Sequence, residues 1–174
     1  MQEADKNEMW EWIKSILLAI VLALVIRAFL LEVFLVKGDS MSPTLHNRER
    51  ILVSKIQYYY REPQPGEIVV FQATEDRDFI KRIIATAGDE VVINPDGVFV
   101  NGEKITETYI ADQAREPYGP ATVPEGTFFV MGDNRNNSMD SRHPAVSFVE
   151  MAEIKGKAMF IFWPLDNIRK ISHP

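Results

Sequence analysis

The chain has 174 residues, room for one domain and an appendage. Hydrophobic residues make up 46% and charged residues 25%, the mix of a globular protein rather than a disordered tail. Nineteen basic against 25 acidic residues leave a net charge of -6, so a nucleic-acid partner, which needs a basic face, is not expected. Cysteine is absent, which removes disulfide frameworks, thiol nucleophiles and Cys-ligated zinc or iron–sulfur sites. The three histidines, His46, His143 and His173, have no metal-pair spacing, and neither a metal nor another cofactor is expected.

The first element is apolar. Uncharged residues run from Ser15 to Ile26, with Lys14 and Arg27 at the two ends, where their stems can carry the charges towards an interface. Trp12 to Leu31 makes a helix of about 30 Å, the thickness of a bilayer core, and Trp10 and Trp12 stand where an aromatic belt would. A cleaved leader fits poorly, because Glu3, Asp5, Glu8 and Glu11 make the N-terminus acidic and no Ala-x-Ala follows. The expectation is therefore a short tail over 1–11 and an uncleaved anchor with its exit segment over 12–36. Counting Lys and Arg leaves the orientation open, since a long domain crosses largely regardless of charge.

After Lys37 the period changes. Runs rich in β-branched and aromatic residues occupy 50–53, 67–71, 79–85, 91–93, 98–100, 127–131 and 157–162, broken by turn signals such as Pro65-Gly66, Gly88-Asp89 and Asn101-Gly102. They predict a mainly β, antiparallel domain over 37–174, with about 90–127 a smaller hairpin and loop insertion. Asn101-Gly102 suits a type I′ hairpin turn, and Thr106 to Pro124 reads as a loop.

Three segments carry candidate chemistry. Gly38-Asp39-Ser40-Met41-Ser42-Pro43-Thr44-Leu45 pins a serine between a turn and a proline. Phe79-Ile80-Lys81-Arg82-Ile83-Ile84 puts a lysine inside an apolar strand, with Lys81 and Arg82 on opposite faces. The segment from Gly132 to Arg142 crowds two carboxylates, two arginines and two serines into one turn. Each alone reads as a solvated turn or a strand-edge lysine. Together they supply a serine nucleophile and a lysine that can serve as its base if burial keeps it neutral.

These motifs, with Arg50-Ile51-Leu52-Val53, Pro65-Gly66-Glu67-Ile68-Val69-Val70-Phe71 and Gly88-Asp89, resemble the bacterial type I signal peptidases of the Ser/Lys kind, in particular those of Gram-positive bacteria. The resemblance runs from Trp12 to the C-terminus, and Lys81 separates the chain from endoplasmic-reticulum relatives, which carry histidine there. It implies Ser40 as nucleophile, Lys81 as general base and Ser138 as the hydroxyl that orients the Lys81 amine. Asp140 and Arg142, with Asp133 and Arg82, would form the supporting ion-pair network. The Ser40 N–H would donate to the oxyanion. Gly38 stands where Gram-negative relatives place a second, hydroxyl donor, so a backbone amide or an ordered water would take that part.

The resemblance further implies signal peptides of secreted preproteins as substrates, cut after small-x-small sites. Phe34, Val36, Met41, Phe79 and Ile80 would line the pockets, with the peptide bound as an added strand. It implies a lipid bilayer and the protein-export machinery as partners. It also implies a single-pass protein of the cell membrane with its catalytic domain outside the cytoplasm. A membrane-tethered β module that only binds exported chains is the alternative, against which intact Ser40, Lys81 and Ser138 argue. A Ser/Lys self-cleaving repressor would lack the anchor, and a penicillin-binding enzyme would need Ser-x-x-Lys where Pro43 stands.

Overall fold

A computed structural model describes residues 2–173 and, within its N-terminal helix, the side chains of 9–24. That helix, α1, spans Gln2–Phe29, so the expected tail is continuous with the apolar segment. Its described side chains are exposed on every face, Leu17 at 61% and Leu18 at 68% among them. Among the described residues no helix is long and apolar enough to cross a membrane. The part of the expected span at 25–29 lies outside the described side chains.

Twelve strands follow. They are β1 (Leu31–Leu35), β2 (Arg50–Ser54), β3 (Ile68–Thr74), β4 (Arg77–Thr86), β5 (Glu90–Asn94), β6 (Gly97–Val100), β7 (Glu103–Lys104), β8 (Tyr118–Thr122), β9 (Thr127–Met131), β10 (Val149–Glu150), β11 (Ile154–Trp163) and β12 (Arg169–Lys170). The larger sheet has the order β1-β2-β11-β3-β4-β9-β10, with β12 on β11, and the smaller one β7-β6-β5-β8. All their pairings are antiparallel. The fold is mainly β, as the alternation after Lys37 predicts.

Two elements differ from the sequence reading. The exit segment, expected as the end of the anchor, is strand β1, paired with β2 from Leu31↔Ser54 to Leu35↔Arg50. Its junction with the helix is fixed by the Lys55 N–H on the Leu30 carbonyl at 3.0 Å and a Lys55–Glu32 ion pair at 2.8 Å. Leu31-Glu32-Val33-Phe34-Leu35 turns Phe34 onto the core and leaves Val33 and Leu35 exposed, the period of a strand. The expected loop from Thr106 to Pro124 contains β8, an edge strand on β5. Its Pro120 is tolerated because the edge position spares a ladder hydrogen bond. Gly119, at φ +87°, lies where a Cβ would collide with the Val91 carbonyl. The Asn101-Gly102 turn has positive φ at both residues, +54° and +80°, the conformation a type I′ hairpin requires.

The core positions the site. Ile51, Val53, Ile68, Val70, Ala158 and Ile161 form one buried cluster that takes in Val36, Met41 and Leu45 from the chain between β1 and β2. Each such side chain contributes about 1.5–3 kcal/mol when fully buried, so the segment around Ser40 is anchored on both flanks. A second cluster joins the two sheets, with Ile84, Phe129 and Met131 meeting Val91, Ile93 and Val98. Strand β4 pairs with β3 from Arg77 to Arg82 but with β9 only from Arg82 to Thr86. Its stretch 77–81 therefore carries an open edge, and β1 ends the sheet with another.

Candidate active site

Alternation along β4 sends Lys81 and Arg82 to opposite sides, and each ends in a different environment. Lys81 is 3% exposed. Its Nζ lies 2.9 Å from Ser40 Oγ, donates to the Ile80 carbonyl at 3.0 Å, and sits 5.1 Å from the centre of the Phe79 ring. Burial lowers its pKa from 10.5 to about 8, against the charges of Asp140 and Asp133, which push it up. That depression amounts to about 3 kcal/mol of lost ammonium stabilisation.

Ser40 is held by its own turn and by the segment after β9. The Ser42 N–H donates to the Asp39 carbonyl and the Leu45 N–H to the Met41 carbonyl, at 3.1 and 2.9 Å. The Asn134 N–H takes the Ser40 carbonyl at 3.0 Å, and Asn134 Nδ2 donates to the Asp39 carbonyl at 3.2 Å. Gly132 lies between them: a Cβ there would run into both Ser138 Oγ and the Ser40 carbonyl.

Arg82, fully buried, forks onto Asp133, Nε to Oδ1 at 2.9 Å and Nη2 to Oδ2 at 2.7 Å. Its Nη1 donates to the Gly66 carbonyl, and its guanidinium stacks 3.9 Å from the centre of the Tyr109 ring. Asp133 also accepts from Thr44 Oγ1 at 2.5 Å, which ties the nucleophile turn to β4 through a buried carboxylate. Arg142 forks in the same way onto buried Asp140, at 2.8 Å for each bond, and Asp140 Oδ2 accepts the Gly132 N–H. The two carboxylates that raise the Lys81 pKa are thus each met by a guanidinium.

The structure brings Ser40, Lys81, Asp133, Arg82, Asp140 and Arg142 into one assembly. A groove of about 720 Å³ beside it is lined by all five apolar residues expected there, Phe34, Val36, Met41, Phe79 and Ile80. Its walls are the open edges of β1 and β4. Two expectations differ from the geometry. Lys81 takes the Ile80 carbonyl in place of Ser138, whose buried Oγ has no hydrogen-bond partner among the described residues. The Gly38 N–H is spent on Asn47 Oδ1 at 3.2 Å, whereas the Ser40 N–H meets no acceptor among the described residues. No cluster of His, Asp and Glu among the described residues is spaced to hold a metal ion.

Several supporting groups escape the sequence reading. Arg135, 2% exposed, pairs with Glu107 and donates to the Gly132 carbonyl at 3.0 Å. Thr44 and Asn134 lie inside motifs already singled out, so position alone could have flagged them. Tyr109 and Glu107 stand in a polar stretch with no local pattern, and only the packing of the second sheet carries them to Arg82 and Arg135.

The chain matches the family model "Signal peptidase, peptidase S26" over residues 9–163. Signal peptidase I of Bacillus licheniformis is 42% identical to it over 176 residues, covering 95% of this chain and 94% of that one. Signal peptidase I S of Bacillus subtilis is 42% identical over 178 residues, covering 96% of each. A solved signal peptidase I from Enterococcus faecalis is 29% identical, with a TM-score of 0.49, covering 56% of this chain and 97% of that chain.

The Arg82–Asp133 pair has no water to fall back on. Arg82→Ala should leave Asp133 charged and unpaired in the interior and destabilise the fold by about 3–5 kcal/mol in denaturant unfolding. A loss under about 1 kcal/mol, the range of an exposed pair, would show that the pair is not a structural tie.

Proposed function

The chain belongs to the signal peptidase family, peptidase S26, and as a serine endopeptidase of the signal peptidase I type it removes signal peptides from preproteins; we propose that it does so with Ser40 as nucleophile and Lys81 as general base. The observation that carries the assignment is the 2.9 Å contact between Ser40 Oγ and a buried lysine amine. With the amine neutral, the Ser40 hydroxyl donates its proton to Nζ as Oγ attacks the carbonyl of the residue before the cut. The Ser40 N–H faces the oxygen that becomes negative. Collapse expels the amine of the mature chain, which takes the proton back from the Lys81 ammonium. The Lys81 amine, neutral again, then takes a proton from a water that attacks the acyl carbon, and its ammonium returns that proton to Oγ as the acyl group leaves as a carboxylate. Arg82 and Arg142 act indirectly, by neutralising the carboxylates that would otherwise hold Lys81 protonated.

The groove supports a cut after small-x-small sequences. It is apolar near Ser40, and open edges on both walls let an extended peptide pair as an added strand, with alternate side chains turned to Phe34, Val36 and Ile80. The helix supports a membrane anchor. Ile13, Ile16, Leu17, Leu18, Ile20, Val21, Leu22 and Leu24 cover more than one face, and all are exposed. An apolar helix without a polar face is stable only in a core or a bilayer. The reading is a single-pass protein of the cell membrane, working with the export machinery from the extracytoplasmic side. Strand β1 starts two residues after α1, which keeps the groove at the membrane surface.

The detergent-solubilised chain should cut a preprotein after an Ala-x-Ala site, and Ser40→Ala and Lys81→Ala should each abolish the cut while keeping the unfolding transition. Because the two groups act as a unit, the double variant should lose little more than either single one. Near-normal turnover of Lys81→Ala would assign the base elsewhere. Binding of preproteins by wild type without cleavage would favour the tethered β module.

The pH dependence follows from a base that works only without its proton. With the amine titrating at about 8, kcat/KM should rise with pH through that value and level off above it. At pH 7 only about one-tenth of the molecules should carry neutral Lys81. A rate constant from pH 6 to 10 would contradict the neutral-amine mechanism.

A further inference from the structure

The groove of Ser40 runs between 33–37 and 76–81, and beside Ser40 its lining also takes in Met41 and Met139, the latter 49% exposed. One residue earlier, Ser138 lines a second cleft of about 360 Å³, walled also by Arg115, Glu116, Arg135, Arg142 and His143. The two clefts are neighbours across one loop, since Ser138 Oγ and the Ser40 carbonyl both crowd the same face of Gly132. If the signal peptide fills the apolar groove, the mature part of the preprotein leaves past Met139, towards the second cleft.

The second cleft is rich in donors. Arg135 spends Nε on the Gly132 carbonyl and Nη1 on Glu107, but its buried Nη2 has no hydrogen-bond partner among the described residues. The buried Ser138 hydroxyl has none either. Unpartnered buried donors are costly, and both belong to residues on the lining of the cleft. At the rim Arg115 is exposed and forms no ion pair among the described residues, and His143 holds its Nδ1 as acceptor for the Ala145 N–H. Glu116 is the single carboxylate on the lining, against three guanidinium groups. Of these, Arg135 and Arg142 are already charge-matched by Glu107 and Asp140, so what they offer a ligand is hydrogen bonds rather than net charge.

We infer that this cleft receives the mature side of the preprotein and favours acidic side chains a few residues past the cut. The inference rests on the peptidase reading above and adds a second determinant of substrate choice. An extended chain advances about 3.3 Å per residue, so positions +2 to +4 lie about 7–13 Å beyond the scissile bond.

The test uses the full chain in detergent and three peptides that share one Ala-x-Ala site and carry Asp, Asn or Lys at +2 to +4. At low salt kcat/KM should fall in the order Asp, Asn, Lys, with about five- to tenfold between the extremes, and the gap should narrow as salt is raised. Arg115→Glu, a rim change outside the ion-pair network, should shrink or invert that order. Equal rates for the three peptides on wild type, or an order untouched by Arg115→Glu, would overturn the inference while leaving the peptidase reading intact. Cleavage of none of the three would overturn both.

Discussion

A guanidinium and a carboxylate, both without contact to water, tie three separate pieces of chain together. Arg82 comes from β4, Asp133 from the turn after β9, and Thr44, on the same carboxylate, from the turn that carries Ser40. Moving charges out of water is expensive, and the cost is offset only if every lone pair and N–H finds a partner. Here Gly66, Tyr109 and Thr44 complete the set. A pair satisfied in so many directions fixes β4 against the nucleophile turn, and with it the approach of Lys81 to Ser40.

The same arrangement bears on the protonation of Lys81, the proposed base. Lys81 adjoins Arg82 in sequence but faces the other way, into the surroundings of Phe79 and Ser40. Burial drives its amine towards the neutral form, and Asp133 and Asp140 oppose it. Each carboxylate is engaged by a forked guanidinium, so its field at the amine is partly cancelled. The lowered pKa of Lys81 is therefore a property of the whole assembly. The smaller sheet takes part as well, because its loop supplies Tyr109 to Arg82 and Glu107 to Arg135. The insertion over about 90–127 is thus packed against the groups that support the site.

Much of this was legible in the sequence, for physical reasons. A two-residue period with turn residues between the runs marks antiparallel strands, and Lys81 interrupting an apolar run marks a polar group that must be buried or at an edge. The Asn101-Gly102 turn reads directly, because few other pairs accept two positive φ angles. The exit strand β1 did not read, since Leu31 to Leu35 continues an apolar helix without a break in composition. Its strand character comes from pairing with β2, which lies some twenty residues on. Strand β8 was hidden by Pro120, which an edge tolerates and a central strand does not. Tyr109 and Glu107 carry no local mark, because their partners Arg82 and Arg135 are reached only through the tertiary fold. The missing Lys81–Ser138 bond has the same origin, as the backbone of Ile80 supplies an acceptor that no side-chain pattern announces.

The buried lysine beside Ser40 should lose its proton near pH 8 rather than near 10.5. Selective ¹³C labelling of lysine in the detergent-solubilised chain, with the Lys81 signal assigned by its loss in Lys81→Ala, follows that proton directly. The expected titration midpoint is near 8, well below the ordinary value of 10.5. A Lys81 signal that titrates near 10.5, the ordinary value for its amine, would contradict it.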